Sequence, residues 1–155
     1  MTPAINLARK RKVFHRVHSY THDPACESFG TEAAEKLGLN EARVFKTLVV
    51  NVDNNELMVG VVPVSSMLSM KLMAKIAAAK KVAMASQSDV ERSTGYILGG
   101  VSPLGQKKQL KTIIDVSAKD FDTIYVSAGR RGLEIELSPM DLKALVNGVF
   151  AEITQ

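Results

Sequence analysis

Three places in this 155-residue chain hold residue types in patterns that could do chemistry. The first is Lys46, inside the run Val44-Phe45-Lys46-Thr47-Leu48-Val49-Val50. On a strand, its own face is shared with the apolar Val44, Leu48 and Val50. A lysine in such company either snorkels to the strand edge or points into a polar cavity, and the pattern alone favours the edge. The second is Ser127-Ala128-Gly129-Arg130-Arg131-Gly132, a glycine-flanked basic turn. Its open N–H groups and two guanidinium groups could receive phosphate or carboxylate, and it reads equally well as a solvated hairpin. The third is Gly99-Gly100-Val101-Ser102-Pro103-Leu104-Gly105. The missing side chains of Gly99 and Gly100 let a ligand approach the main chain, whose N–H groups can act as donors.

Other chemistries lack their residues. His15, His18 and His22 are the only histidines; on a strand, positions three apart face opposite ways, and no carboxylate or thiolate spacing completes a metal site. No metal or other cofactor is expected. The Gly100 to Gly105 spacing starts like a phosphate-binding loop, which requires Lys and then Ser or Thr next, but here Gln106-Lys107-Lys108 follows. No Gly-x-Ser-x-Gly elbow occurs, and Cys26 has no local pattern of an activated thiol and reads as a bystander.

The elements that must position these residues follow from pattern and punctuation. Thr2 and Pro3 start a first surface helix that ends in the basic cluster Arg9 to Lys12. Val13 to Tyr20 reads as a strand closed by His22-Asp23-Pro24, and a helix from Ser28 to Leu37 stops at Gly38. Val44 to Val52 and Leu57 to Val62, rich in β-branched residues and joined by Asp53-Asn54-Asn55, form a hairpin. A helix spans Ser69 to Ala79, and Met67, Met70 and Met73 at its start suit core packing better than a cofactor face. A short strand Val82 to Ala85, a helix from Ser86 or Ser88 through Arg92, and strands Lys111 to Val116, Thr123 to Ser127 and Leu133 to Leu137 come next. A helix from Ser138-Pro139 through Val146 and a closing strand Val149 to Ile153 complete the order. Strands in succession with interspersed helices predict an α+β fold with a mixed sheet, in a single domain covering 1–155.

Composition sets the bounds. Hydrophobic residues are 46% and charged residues 23%, the proportions of an ordinary folded domain. The net charge of +4 favours a polyanion or phosphate partner without requiring one. Aromatics at 5% and the absence of tryptophan argue against a surface built on many stacked bases, so RNA contact would be largely electrostatic. No signal-peptide pattern and no run near the roughly 18 apolar residues of a membrane span is present, and a single cysteine fits a reducing compartment; a cytoplasmic protein with no membrane partner is expected.

Taken together, Tyr20 with His22-Asp23-Pro24, Arg43-Val44-Phe45-Lys46-Thr47-Leu48, the Gly99 to Gly105 loop and Ser127 to Glu134 resemble the YbaK family of aminoacyl-tRNA deacylases, in the same order and over nearly the whole chain. The family is similar to the editing insertion of bacterial prolyl-tRNA synthetase. The resemblance implies a mixed α/β domain with a barrel-like β core surrounded by helices. It implies removal of cysteine mischarged onto proline tRNA, with prolyl-tRNA synthetase helping to deliver the substrate. It makes Lys46 the essential lysine, Gly99 and Gly100 the glycine pair lining the ester pocket, and Tyr20 a pocket-wall aromatic. Val101, Ser127, Gly129, Arg130 and Glu134 join them as substrate-binding residues. Glu134 stands where related members have aspartate, and Ala128 where they have glycine. Whether Ser127 and Glu134 touch substrate or brace the Arg130-Arg131 turn stays open.

An aminoacyl ester is already activated, so positioning and stabilisation of a developing oxyanion can suffice. The resemblance implies that the cysteine thiol attacks its own carbonyl and leaves as a cyclic thiolactone, which suits a chain short of His and Cys. Water as the nucleophile, a deacylase for another amino acid such as alanine, a noncatalytic tRNA-binding module, and a small-ligand protein using the Gly99 loop are the alternatives.

Overall fold

The computed structural model describes residues 1–26 and 29–155. Helix α1 (Pro3–Lys10) starts as the sequence predicts: the Thr2 hydroxyl accepts from the Ile5 N–H, and Pro3 occupies the first turn. Strand β1 (His15–Ser19) and helix α2 (Phe29–Leu37) follow; the expected helix start at Ser28 lies outside the described residues. The hairpin is present as β2 (Phe45–Val52) and β3 (Glu56–Pro63), antiparallel along its full length. Helix α3 (Met70–Ala77), strand β4 (Val82–Met84) and helix α4 (Gln87–Thr94) come next, the two helices capped by the Ser69 and Ser86 hydroxyls. Strands β5 (Lys111–Asp115), β6 (Ile124–Arg130) and β7 (Leu133–Leu137), helix α5 (Pro139–Val146) and strand β8 (Val149–Ala151) complete the chain.

The architecture is α+β, but the strands form two sheets and no closed barrel. A three-stranded antiparallel sheet has the order β1-β7-β6, and a five-stranded mixed sheet the order β4-β2-β3-β5-β8, with β3, β5 and β8 parallel. The two sheets are joined by a single isolated bridge, Val44 to Tyr125, so the ladder never closes among the described residues. Their facing sides enclose the main core. Phe45, Val49, Val59 and Val61 meet Val126, Ile135 and Leu137, with α1, α4 and α5 sealing the margins. A second layer forms where α3 covers the outer face of the five-stranded sheet with Met73. Only that member of the expected methionine row is fully buried; Met67, which precedes the helix, is 67% exposed. A third, smaller cluster packs Ala33 and Ala34 of α2 on Val44 and Tyr125 at the seam between sheets. No helix among the described residues is long and apolar enough to cross a membrane.

The 99–105 loop is pinned to the first helix. Gly105 has φ +67°, and a Cβ there would lie 2.6 Å from the Pro3 carbonyl carbon and oxygen. Gly105→Ala is therefore expected to lower unfolding stability by at least about 1 kcal/mol through left-handed backbone strain plus the clash. A melting temperature equal to that of the parent chain would contradict this packing.

Candidate active site

The start of β2 is fixed against the three-stranded sheet by polar and aromatic contacts. Arg43 Nε donates to the Thr123 carbonyl at 2.7 Å, and its guanidinium lies 5.1 Å from the Tyr125 ring centre. The Thr123 hydroxyl donates to Glu136 at 2.6 Å, and His18 Nε2 donates to the other Glu136 oxygen at 2.9 Å. Burial raises the Glu136 carboxyl, but these hydrogen bonds and the neighbouring cations outweigh it and the net shift is downward. One residue after Arg43, Val44 makes its parallel bridge to Tyr125. Two residues further along each strand stand Lys46 and Ser127. No further bridge joins β2 to β6 among the described residues, and β4 pairs with β2 only at Val50 to Val52. A cavity of about 300 Å³ opens in the gap.

Its walls bring together most of the residues singled out in the sequence. Lys46, Phe45, Thr47 and Leu48 come from β2, Tyr20 from the segment after β1, and Ser127, Arg130, Arg131 and Glu134 from the β6–β7 hairpin. Leu98, Gly99 and Val101 of the loop close the rim, with Gly30 of α2 opposite. Lys46 thus lines a cavity instead of snorkelling to an open edge, and desolvation holds its ammonium below the usual lysine range. Glu134 is 7% exposed, and burial pushes its carboxyl up to about 8. No ion pair joins Lys46 to Glu134 among the described residues. Burial, reinforced by the charge of Glu134, pushes the Tyr20 phenol up to about 12. The Thr47 hydroxyl is buried with no hydrogen-bond partner among the described residues.

The turn residues divide into those that face the cavity and those that shape it. The Ser127 hydroxyl accepts from the Gly129 N–H at 3.1 Å, within a register shift between Ser127 and Arg130. Gly129 has φ +114°, and a Cβ there would lie 2.8 Å from the Tyr96 ring. Ala128, the expected glycine position, points its methyl into the main core. Gly132 was not anticipated as a site residue. Its carbonyl accepts from the Tyr20 N–H at 2.9 Å, and a Cβ there would lie 2.7 Å from the Tyr20 carbonyl oxygen, so this glycine sets where Tyr20 enters the wall. Gly129 and Gly100 line a neighbouring hollow and not the cavity itself.

The glycine pair serves two purposes. Gly99, at φ +96°, presents main chain at the cavity rim. Gly100 donates its N–H to the Ile97 carbonyl at 2.9 Å, and a Cβ there would come within 2.7 Å of Arg130 Cα, so the absent side chain lets loop and hairpin touch. Gly99 and Val101 are the loop glycine and the loop valine that line this rim. The three histidines go to three different places: His15 pairs with the Val13 carbonyl, His18 with Glu136 and His22 with Glu32. Thr47, Leu48 and Leu98 are wall residues beyond those expected, and their adjacency to Lys46 and Gly99 was the available signal.

Comparison with known proteins places this arrangement among relatives. The sequence profile of the aminoacyl-tRNA editing domain matches residues 23–145. EbsC of Enterococcus faecalis, named as a Cys-tRNA(Pro)/Cys-tRNA(Cys) deacylase, is 40% identical over 153 residues, covering 99% of this chain and 93% of its own. YwhH of Bacillus subtilis, which is uncharacterised, is 30% identical over 111 residues, 72% of this chain and 70% of its own. A crystal structure described as a trans-editing enzyme for prolyl tRNA synthetase superposes with a TM-score of 0.84 at 20% identity, over 100% of this chain and 99% of that one.

Glu134 makes the cavity visible in stability. Its folded-state pKa lies above the ordinary carboxyl value, so between about pH 4.5 and 8 the folded chain holds a proton that the unfolded chain has released. Its contribution to stability is therefore full below that window and falls as pH rises through it. Glu134→Gln removes the decline, so the stability of the variant relative to the parent should improve from pH 5 to pH 8 in denaturant titrations. A pH-independent difference would contradict the burial of an unpaired carboxyl.

Proposed function

The chain belongs to the aminoacyl-tRNA editing domain family, and on that premise we propose that it is a trans-editing deacylase that clears cysteine mischarged onto proline tRNA. One observation supports the assignment: a lysine, a buried carboxyl, two arginines and the Gly99 to Val101 loop line one cavity together with apolar side chains. That set suits an activated ester, which needs orientation and charge stabilisation more than a protein nucleophile.

In the proposed complex the 3′-terminal ribose enters the cavity mouth and the aminoacyl group goes inward. Lys46 orients the substrate through its ammonium, contacting the terminal ribose and phosphate region. The Gly99 and Val101 N–H groups polarise the ester carbonyl as charge develops on its oxygen. Glu134, which lines the cavity, meets the α-amino group, while Ser127 braces the turn through Gly129. Tyr20 is the aromatic wall. The cysteine sulfur forms a bond to its own carbonyl carbon, the ester C–O bond breaks, and the thiol proton ends on the departing ribose oxygen. A cyclic thiolactone and free tRNA result, with no co-reactant. Arg130 and the basic runs Arg9 to Lys12 and Lys107-Lys108 supply salt-sensitive contact with the RNA backbone. Prolyl-tRNA synthetase is proposed to deliver the substrate, because such contacts carry no tRNA identity.

Lys46→Ala should lower single-turnover deacylation of cysteinyl-tRNA about 100-fold or more, the scale of losing one positioned charge-stabilising group. Retention of the parent rate would remove Lys46 from the mechanism. Serinyl-tRNA, which offers a poorer nucleophile in the same shape, should react far more slowly than cysteinyl-tRNA and give no cyclic product. Equal rates on the two would make water or a ribose hydroxyl the attacking group, and faster release of alanine than of cysteine would move the specificity to alanine.

A further inference from the structure

Beside the cavity lies a second hollow of about 670 Å³. The two share Leu98, Arg130 and Arg131, and Gly100 of the outer one packs against the Arg130 backbone. The outer hollow has a distinct chemistry. Ile97 and Leu98 stand at its edge, 75% and 48% exposed. Arg130 and Arg131 line it, and among the described residues none that lines it is acidic. Tyr96, whose hydroxyl donates to the Leu104 carbonyl at 2.6 Å, fixes the back wall. The exposed aliphatic pair offers apolar contact to a flat ring, and the arginines beside it can meet a phosphate.

Arg131 is anchored where the hollows meet. Its Nη1 donates to His22 Nε2 at 2.9 Å, and His22 Nδ1 donates to Glu32 at 2.6 Å. His22 thus links the Arg131 guanidinium to the Glu32 carboxylate through its two ring nitrogens. Glu32 is 3% exposed and also accepts from the Asp23 N–H at 2.8 Å. Burial raises the Glu32 carboxyl, and the hydrogen bonds from His22 and Asp23 more than reverse it, so it stays ionised and the relay has a fixed end. The hairpin tip thereby becomes a braced donor at the junction.

We propose that the outer hollow is a subsite for the nucleotide preceding the esterified terminal adenosine, with Arg131 receiving the phosphodiester that links the two. The connectivity of the ligand demands this order. If the ester occupies the inner cavity and the preceding base the outer hollow, the linking phosphate lies over the shared wall, where Arg130 and Arg131 stand. The subsite rests on the deacylase function proposed above and extends it from the ester to the RNA end.

Three small substrates test it with the unmodified protein: cysteinyl-adenosine, cysteinyl-cytidylyl-adenosine, and the same dinucleotide with an uncharged methylphosphonate linkage. The dinucleotide ester should show kcat/KM about tenfold above cysteinyl-adenosine, the scale of one hydrogen bond to a charged group, and the methylphosphonate should lose most of that gain. Ile97→Ser should narrow the ratio of dinucleotide to mononucleotide ester. Equal kcat/KM on cysteinyl-adenosine and the dinucleotide ester, or a ratio unmoved by Ile97→Ser, would overturn the subsite while leaving the deacylase intact. Cleavage of none of the three would overturn the deacylase assignment and the subsite with it.

Discussion

The structure depends on one seam. Val44 bridges Tyr125 in parallel, Arg43 lies over the Tyr125 ring and bonds the Thr123 carbonyl, and Ala33 and Ala34 of α2 seal the contact from outside. From this single joint β2 and β6 run in the same direction and part. Lys46 and Ser127, each two residues on, fall on either side of the opening, and Glu134, the cross-strand partner of Ser127, joins them. A closed barrel would fill that gap with ladder hydrogen bonds. Two sheets joined at one point leave room for a ligand instead.

The cavity holds groups that folding alone would not retain. Burial disfavours the charge of Lys46 and of Glu134, and among the described residues no ion pair joins them to offset the cost. The Thr47 hydroxyl, unpartnered among the described residues, adds another buried polar group beside them. In the proposed complex a substrate ammonium, ester and ribose supply partners for these groups. The scarcity of histidine and cysteine, which at first excludes most enzyme chemistry, is then consistent with a substrate that brings an activated bond and its own nucleophile.

Much of this was legible in the sequence. Hydroxyl caps at Thr2, Ser69, Ser86 and Ser138, the turn at Asp53 to Asn55 and the run of β-branched residues around it fix helices and a hairpin by local physics. The short motifs around Lys46, Gly99 and Arg130 pointed to the residues that converge. The orientation of Lys46 could not be read locally: its strand pattern favoured an edge, and only the short reach of β4 and the joint at Tyr125 turn that edge into a cavity. The barrel-like mixed sheet expected from the resemblance is present as two sheets joined at one point, and that the ladder stops short of closing could not be read locally, since closure depends on pairing between distant strands. The different tasks of Gly99 and Gly100 depend on Arg130, thirty residues downstream, and the Glu32–His22–Arg131 relay ties a helix, a loop and a hairpin that share no sequence signature.

The most direct measurement of the central claim is a crystal structure with an uncleavable cysteinyl-adenosine in which an amide replaces the ester. The cysteinyl group should lie between β2 and β6, with the Lys46 ammonium within hydrogen-bond distance of the ribose, the carbonyl oxygen toward the Gly99 and Val101 N–H groups and the α-amino group beside Glu134. An analogue bound with its cysteinyl group outside this cavity, for instance in the polar hollow between the β2–β3 turn and α4, would contradict the account.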